Sequence, residues 1–395
     1  TLFRVGFLFL ILFFTTTAKA QKEAETFNVD STLYEYYQRC QEYLLEPVVL
    51  NMSDTLFRMA GERQDERMQA VAIATQLDYY YFQGTNEDSV IHYTNKVKEF
   101  AKATHQPKYY YFAWANRLIT YYLKTSRTNI ALYEVQNMLK EAQEEDDKTG
   151  LSRCYNIMSQ IYTIKRFDSM AFEWRLKEIE LTEKYKIENY NISQTYAQIA
   201  NYYINQKKQK EALAAVEKAI ATANSSTQQI SAKLEFVNYY SKFGDFQAAE
   251  KLLKECQAAF EQDKRLESIK KRLYNIECLY YQQTKQYPKA LEAAKMQEKE
   301  ERRLSESILS SSHYRTQGEI YQKMGNMNLA VKYLQMYINT DDSLKIANEQ
   351  VASSEFATLL NVEKLNAEKK ELMLQAQEKE LHNKTTLIIS LIILL

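Results

Sequence analysis

Four histidines (His92, His105, His313 and His382) and four cysteines (Cys40, Cys154, Cys256 and Cys278) are the residues of this chain best suited to metal binding or nucleophilic chemistry. Their spacing suits neither. There is no HExxH or CxxC, and no two of these residues stand at metal-ligand spacing. No GxSxG or SxxK marks an activated serine, and no GxGxxG or GxxxxGK[ST] offers a phosphate cradle. The acidic run Glu144-Glu-Asp-Asp147 reads as solvated loop, and the doubled tyrosines Tyr202-Tyr203, Tyr239-Tyr240 and Tyr280-Tyr281 stand at helical spacing that suits packing. No catalytic, cofactor or metal site is expected, so function must lie in a surface.

The elements that carry such a surface are helices. Only 7 Gly and 3 Pro occur in 395 residues, where average usage would give about 47. Hairpins, sandwiches and βα loops depend on those two residues, so all-β and doubly wound architectures are excluded. A hydrophobic fraction of 45% with 26% charged residues is that of a folded protein rather than a disordered one. Fifty-one basic residues balance 51 acidic ones, which argues against nucleic acid as a partner of this region.

The helices repeat. A Tyr is followed nine residues later by Ala in Tyr122/Ala131, Tyr162/Ala171, Tyr203/Ala212, Tyr240/Ala249, Tyr281/Ala290 and Tyr321/Ala330. The intervals are 40, 41, 37, 41 and 40 residues. Tyr81/Val90 reads as an earlier copy and Tyr43/Met52 as a degenerate one. On both sides of Gly325-Asn326, apolar residues recur three and four apart, which makes each unit an antiparallel helix hairpin with a tight turn. One hairpin cannot bury its apolar face alone, so successive units must stack into a solenoid. Cys256 and Cys278 fall in helices of consecutive units; buried thiols suit that packing, and a disulfide between them stays open.

Over residues 65–344 the chain resembles the tetratricopeptide repeat family. A small residue stands three before the Tyr at Ser159, Ala200 and Gly318, and an apolar residue stands four after the Ala in Ala212/Val216, Ala249/Leu253 and Ala330/Leu334. The period exceeds the family's 34 residues, the opening Trp and closing Pro are missing, and Arg175 stands where an apolar residue belongs. HEAT-type repeats share the longer period, but the Tyr-to-Ala offset across Gly-Asn or Gly-Asp favours the tetratricopeptide type. The resemblance implies an all-α fold, a right-handed α-solenoid of about seven units. It also implies a concave groove that binds a protein or peptide, lined by residues two and six before the motif Tyr. Those positions hold Asn116, Asn156, Gln160, Asn201, Asn238 and Asn275. Amides both donate and accept, so such a ladder suits the main chain of an extended peptide, while polar residues on an open helix face can equally be mere solvated surface.

The two ends add a location. Arg4, the apolar run Val5–Phe14 and the small residues Ala18 and Ala20 read as a signal peptide over 1–20, cleaved after Ala20. Residues 21–64 form an N-terminal helical cap or degenerate repeat ahead of the solenoid at 65–344. Residues 345–384, rich in Glu, Lys, Ala, Leu and Gln, read as a helical stalk; it suits a single charged helix or a parallel coiled-coil homodimer. The apolar stretch Thr385–Leu395 reads as the start of a transmembrane helix, preceded by Lys379, His382 and Lys384. This layout resembles membrane-anchored sensor and regulator proteins of Bacteroidetes-type bacteria, in which an exported repeat domain is coupled to a cytoplasmic histidine kinase or helix-turn-helix output. The expectation is a periplasmic binding ectodomain anchored in the cytoplasmic membrane of a bacterial envelope; a membrane-tethered scaffold for envelope assembly is the alternative.

Overall fold

The computed structural model describes residues 29–304 apart from 85, 188 and 190, then 312–343, and beyond these residues 345, 371, 374, 377 and 379. The expected signal peptide and membrane segment lie outside the described residues, as does most of the expected stalk. Every regular element among the described residues is a helix, as the scarcity of chain breakers requires. No described helix is long and apolar enough to cross a membrane.

Contacts divide the chain into two compact units, with the boundary at Ile157 and Met158. The first unit holds α1 (Ser31–Glu42), α2 (Val48–Glu62), α3 (Glu66–Gln83) and α4 (Glu87–Ala103). Next come α5 (Pro107–Tyr111), a π-helical segment (Phe112–Ile119), α6 (Thr120–Lys124) and α7 (Thr128–Glu144). The boundary falls inside α8 (Lys148–Ile164). The second unit continues with α9 (Asp168–Tyr185), α10 (Ile192–Asn205), α11 (Gln209–Ala221), α12 (Ser226–Phe243) and α13 (Phe246–Gln262). A short 3-10 turn (Lys264–Ile269) leads to α14 (Lys270–Gln283), α15 (Tyr287–Leu304), α16 (Ser312–Lys323) and α17 over 327–343.

The nine-residue offset has a backbone origin. In all six strong copies the carbonyl of the motif Tyr accepts the N–H of the residue five places on, at 2.8–3.0 Å, as Tyr240 does from Asp245. The residue between, four after the Tyr, takes the left-handed conformation: Ser126, Arg166, Lys207, Gly244, Lys285 and Gly325 have φ between 57° and 90°. This is the Schellman closure of a helix. The residue five after the Tyr then becomes the N-cap of the second helix, and its carbonyl takes the first helical hydrogen bond from the Ala four further on, at 2.9–3.1 Å. A five-residue closure followed by a four-residue opening fixes the spacing.

Side chains then lock the hairpin. The motif alanines Ala131, Ala212, Ala249 and Ala290 are completely buried, where a larger side chain would push the second helix away. The tyrosines pack between helices: Tyr203 meets Phe172 edge-on at 5.1 Å, and Tyr240 meets Phe236 at 5.3 Å. Gly318 shows the same demand for closeness, since a Cβ there would come within 2.9 Å of Leu334 Cγ. The residues beyond a 34-residue period lie in the helices, which reach 17 and 18 residues in α13 and α12, while the α7–α8 turn is only Glu145–Asp147.

Two sequence expectations are corrected. Tyr43 does not wedge a hairpin: it follows the end of α1, 42% exposed, because the turn to Pro47 coils through short-range bonds instead of a Schellman closure. Gly150 lies in the first turn of α8, where a Cβ would strike the Tyr111 ring. The acidic run is more than solvated loop. Asp147 Oδ1 caps α8 by accepting from the N–H groups of Thr149 (2.9 Å) and Gly150 (3.0 Å), and Glu145 accepts from Lys102 Nζ at 3.0 Å.

Candidate functional site

In the second unit the first helices of successive hairpins, α10, α12 and α14, pack side by side. Small residues make this contact: Ala197, Ala200 and Ala232 are each at most 1% exposed. Toward their N-terminal ends, and joined by Gln297 of α15, these helices leave a cavity of about 440 Å³. Gln194, Gln228, Ser231, Lys271, Arg272 and Asn275 stand on its wall. Amides and hydroxyls supply donors and acceptors together, and the charged groups on this wall are both cations.

Beside this wall lies a buried ion pair. Glu235 of α12 is only 3% exposed. Its Oε1 accepts from Arg272 Nη2 at 2.6 Å and its Oε2 from Asn238 Nδ2 at 3.3 Å. Burial raises the Glu235 pKa, opposed by the Arg272 charge and the two hydrogen bonds. The Nε of Arg272 is buried with no acceptor among the described residues. The pair ties α12 to α14 across 37 residues of sequence.

The six amide positions fall into different surroundings. In the first unit Asn116 is exposed on the π-helical segment and accepts from Arg153 Nη1 at 3.2 Å, and Asn156 is half-buried on α8. In the second, Gln160 is exposed on α8, and Asn201 is exposed on α10, accepting from Asn205 Nδ2 at 3.1 Å. Asn238 is buried against Glu235, and Asn275 is exposed on the cavity wall. Asn275 therefore meets Gln194 and Gln228 in one place, while Asn201 and Asn238 stand off that wall.

Arg175, the departure from the apolar pattern, is accommodated by polar partners. Its Nε donates to Gln198 Oε1 at 2.7 Å and its Nη2 to Thr163 Oγ1 at 2.8 Å, linking α9 to both neighbouring helices. All four cysteines are buried free thiols. Cys256 and Cys278 belong to different core clusters, and burial pushes each thiol up to about 11.

No family model matches this chain, and no curated protein matches it in sequence. Solved structures do match. The apo form of the quorum sensor NprR from B. thuringiensis aligns at a TM-score of 0.50 and 14% identity, over 81% of this chain and 91% of that one. The fold is a tetratricopeptide-type helical solenoid. A Rap protein complexed with Competence and Sporulation Factor aligns at 0.48 and 15% identity, covering 83% of this chain and 92% of its own. A tetratricopeptide repeat protein from Parabacteroides merdae aligns at 0.42 and 13% identity, over 82% and 99% of the two chains. At such identities the likeness concerns the fold of the solenoid alone.

Proposed function

We propose that this solenoid is a non-catalytic binding protein whose ligand is a protein or peptide held on the face of the first helices. The observation that carries this reading is the cavity of about 440 Å³ on α10, α12 and α14, where amides and hydroxyls from three hairpins converge. An extended peptide presents alternating N–H and C=O groups, and Gln194, Gln228 and Asn275 can answer both. Asn116, Asn156, Gln160, Asn201 and Asn238 belong to the same proposal as further positions on first helices.

The finer reading places this domain outside the cytoplasmic membrane of a bacterium. Its support is the signal-peptide pattern of residues 1–20 and the apolar run at 385–395, with the charged segment 345–384 as the connector and homodimer contact. Binding outside is then relayed to a cytoplasmic output domain; a membrane-tethered scaffold for envelope complexes is the second reading. Motifs of a kinase or a DNA-binding domain encoded after Leu395 favour the relay, and a stop soon after the span favours the scaffold. Replacing Gln228 and Asn275 by Ala is expected to reduce the proteins that co-purify with the chain from its envelope fraction. Unchanged co-purification removes the cavity from the proposal. Protection of residues 21–384 from protease added to intact spheroplasts overturns the topology.

A further inference from the structure

The first unit has its own cavity on first helices, of about 550 Å³, between α1, α3 and α5. Its chemistry differs from that of the amide-lined site. Tyr37, Tyr109 and Phe112 form ring walls over a floor of Met68, Val71 and Ala74. Met68 and Ala74 are 3% and 7% exposed. This is the general build of a small-ligand pocket: apolar faces, a few placed polar groups and a volume of about 300–1,000 Å³.

The polar groups point to a charge. Arg67 and Lys108 are the cations on its wall, and Asp78 is the carboxylate there. Asp78 is already held by the Arg117 guanidinium, whose Nε donates to Oδ1 and whose Cζ lies 4.4 Å from the Phe112 ring centroid. The nearby Asp65 is committed to the N-cap of α3, accepting from Met68 N–H at 2.9 Å. Of the three charged side chains on this wall two are cations, and the one carboxylate is paired with Arg117. Burial also raises the Tyr37 and Tyr109 phenols, so both stay protonated donors at neutral pH.

We propose that this cavity is a second binding site, for a ring-sized apolar group that carries a carboxylate. The ring lies among Tyr37, Tyr109 and Phe112 over the aliphatic floor, and the carboxylate reaches Arg67 and Lys108. Two sources supply that chemistry: the C-terminal residue of a peptide, and a free apolar acid. The site is independent of the amide-lined cavity, so either can fail without the other.

The test uses the full chain labelled with ¹³C-methyl methionine, with the Met68 signal assigned by Met68→Leu. N-acetylphenylalanine is expected to shift the Met68 methyl saturably, and Gly-Gly-Phe to do the same. Tighter binding of the tripeptide identifies a peptide end as the natural source, and tighter binding of the single acid identifies a free acid. N-acetylphenylalaninamide, which lacks the charge, is expected to bind about tenfold more weakly. Ala74→Trp, which fills the floor, should abolish the shift. Lys108→Glu lies on an exposed residue, so it keeps the test decisive if Ala74→Trp does not fold; it should weaken the acid and leave the amide unchanged. The absence of a saturable shift, or equal affinity for acid and amide, overturns the proposal.

Discussion

The first helices of the two units build opposite linings from one backbone plan. In the first unit three rings and an aliphatic floor enclose the cavity; in the second, amides and hydroxyls do so, beside a buried Glu235–Arg272 pair. The hairpin turn is the same in both, since Tyr122 and Tyr240 each close on the residue five places on. The Schellman closure and the small residue opposite the Tyr leave the exposed face of each first helix free to vary. Architecture and recognition are thus carried by separate positions, and each can be perturbed alone.

The largest expected effect is in the second unit. Arg272→Met removes the partner of a carboxylate that is 3% exposed, and should cost about 3–5 kcal/mol. Adding Glu235→Leu to that variant should recover most of the loss, as read by denaturant midpoint; no recovery means the pair is not what Arg272 stabilises. Comparable in size, Tyr122→Ala in the first unit removes a motif ring that is 5% exposed, at a cost of about 3–5 kcal/mol by analogy with other buried aromatics. Tyr43→Ala, at the exposed position, should stay within about 0.5 kcal/mol. Equal losses would erase the distinction between a wedge and a surface tyrosine.

Smaller effects test the turns. Gly244 sits at φ 90°, and Gly244→Ala should cost about 1–2 kcal/mol. Lys207, at φ 57° in the equivalent turn, should instead gain stability on replacement by Gly, by up to about 1 kcal/mol. The smallest signal is a pH slope. Lys98 of the first unit lies 3.1 Å from the Trp114 ring centroid, and burial pushes its amine down to about 8. Its folded form holds the proton less tightly than the unfolded chain, so its contribution to stability rises as pH climbs from about 8 toward 10.5. Lys98→Met should flatten that rise. Glu235 has the opposite sign: its raised pKa favours folding below the ordinary 4.5 and loses that contribution as pH rises through the folded value. Thermal melts of wild type and variants across pH 4–10 measure both slopes.

Much of this fold was legible in the sequence because the repeat is written in backbone chemistry. The Tyr-to-Ala offset survives as five residues plus four, whether the left-handed position holds Gly325 or Lys285. Tyr43 misled because a Tyr-rich chain offers the letter without the turn: Pro47 and the coil before it lead into α2 by another route. The sites were less legible, since partners on neighbouring first helices lie far apart in sequence, as Glu235 and Arg272 do at 37 residues. The family spacing reached Asn275, which stands on the cavity wall, but could not show that Asn238 turns to Glu235. The ring-walled cavity gave no signal at all, because Tyr37, Tyr109 and Phe112 belong to two hairpins and only one of those carries a motif Tyr.

The central claim is that recognition occurs on the first-helix face. A photo-crosslinking residue placed at Asn275, on the cavity wall, and separately at Lys254, on the second helix α13, tests it in growing cells. The account predicts a discrete crosslinked protein or peptide from position 275 and none from 254. The reverse pattern, or equal capture from both positions, contradicts it.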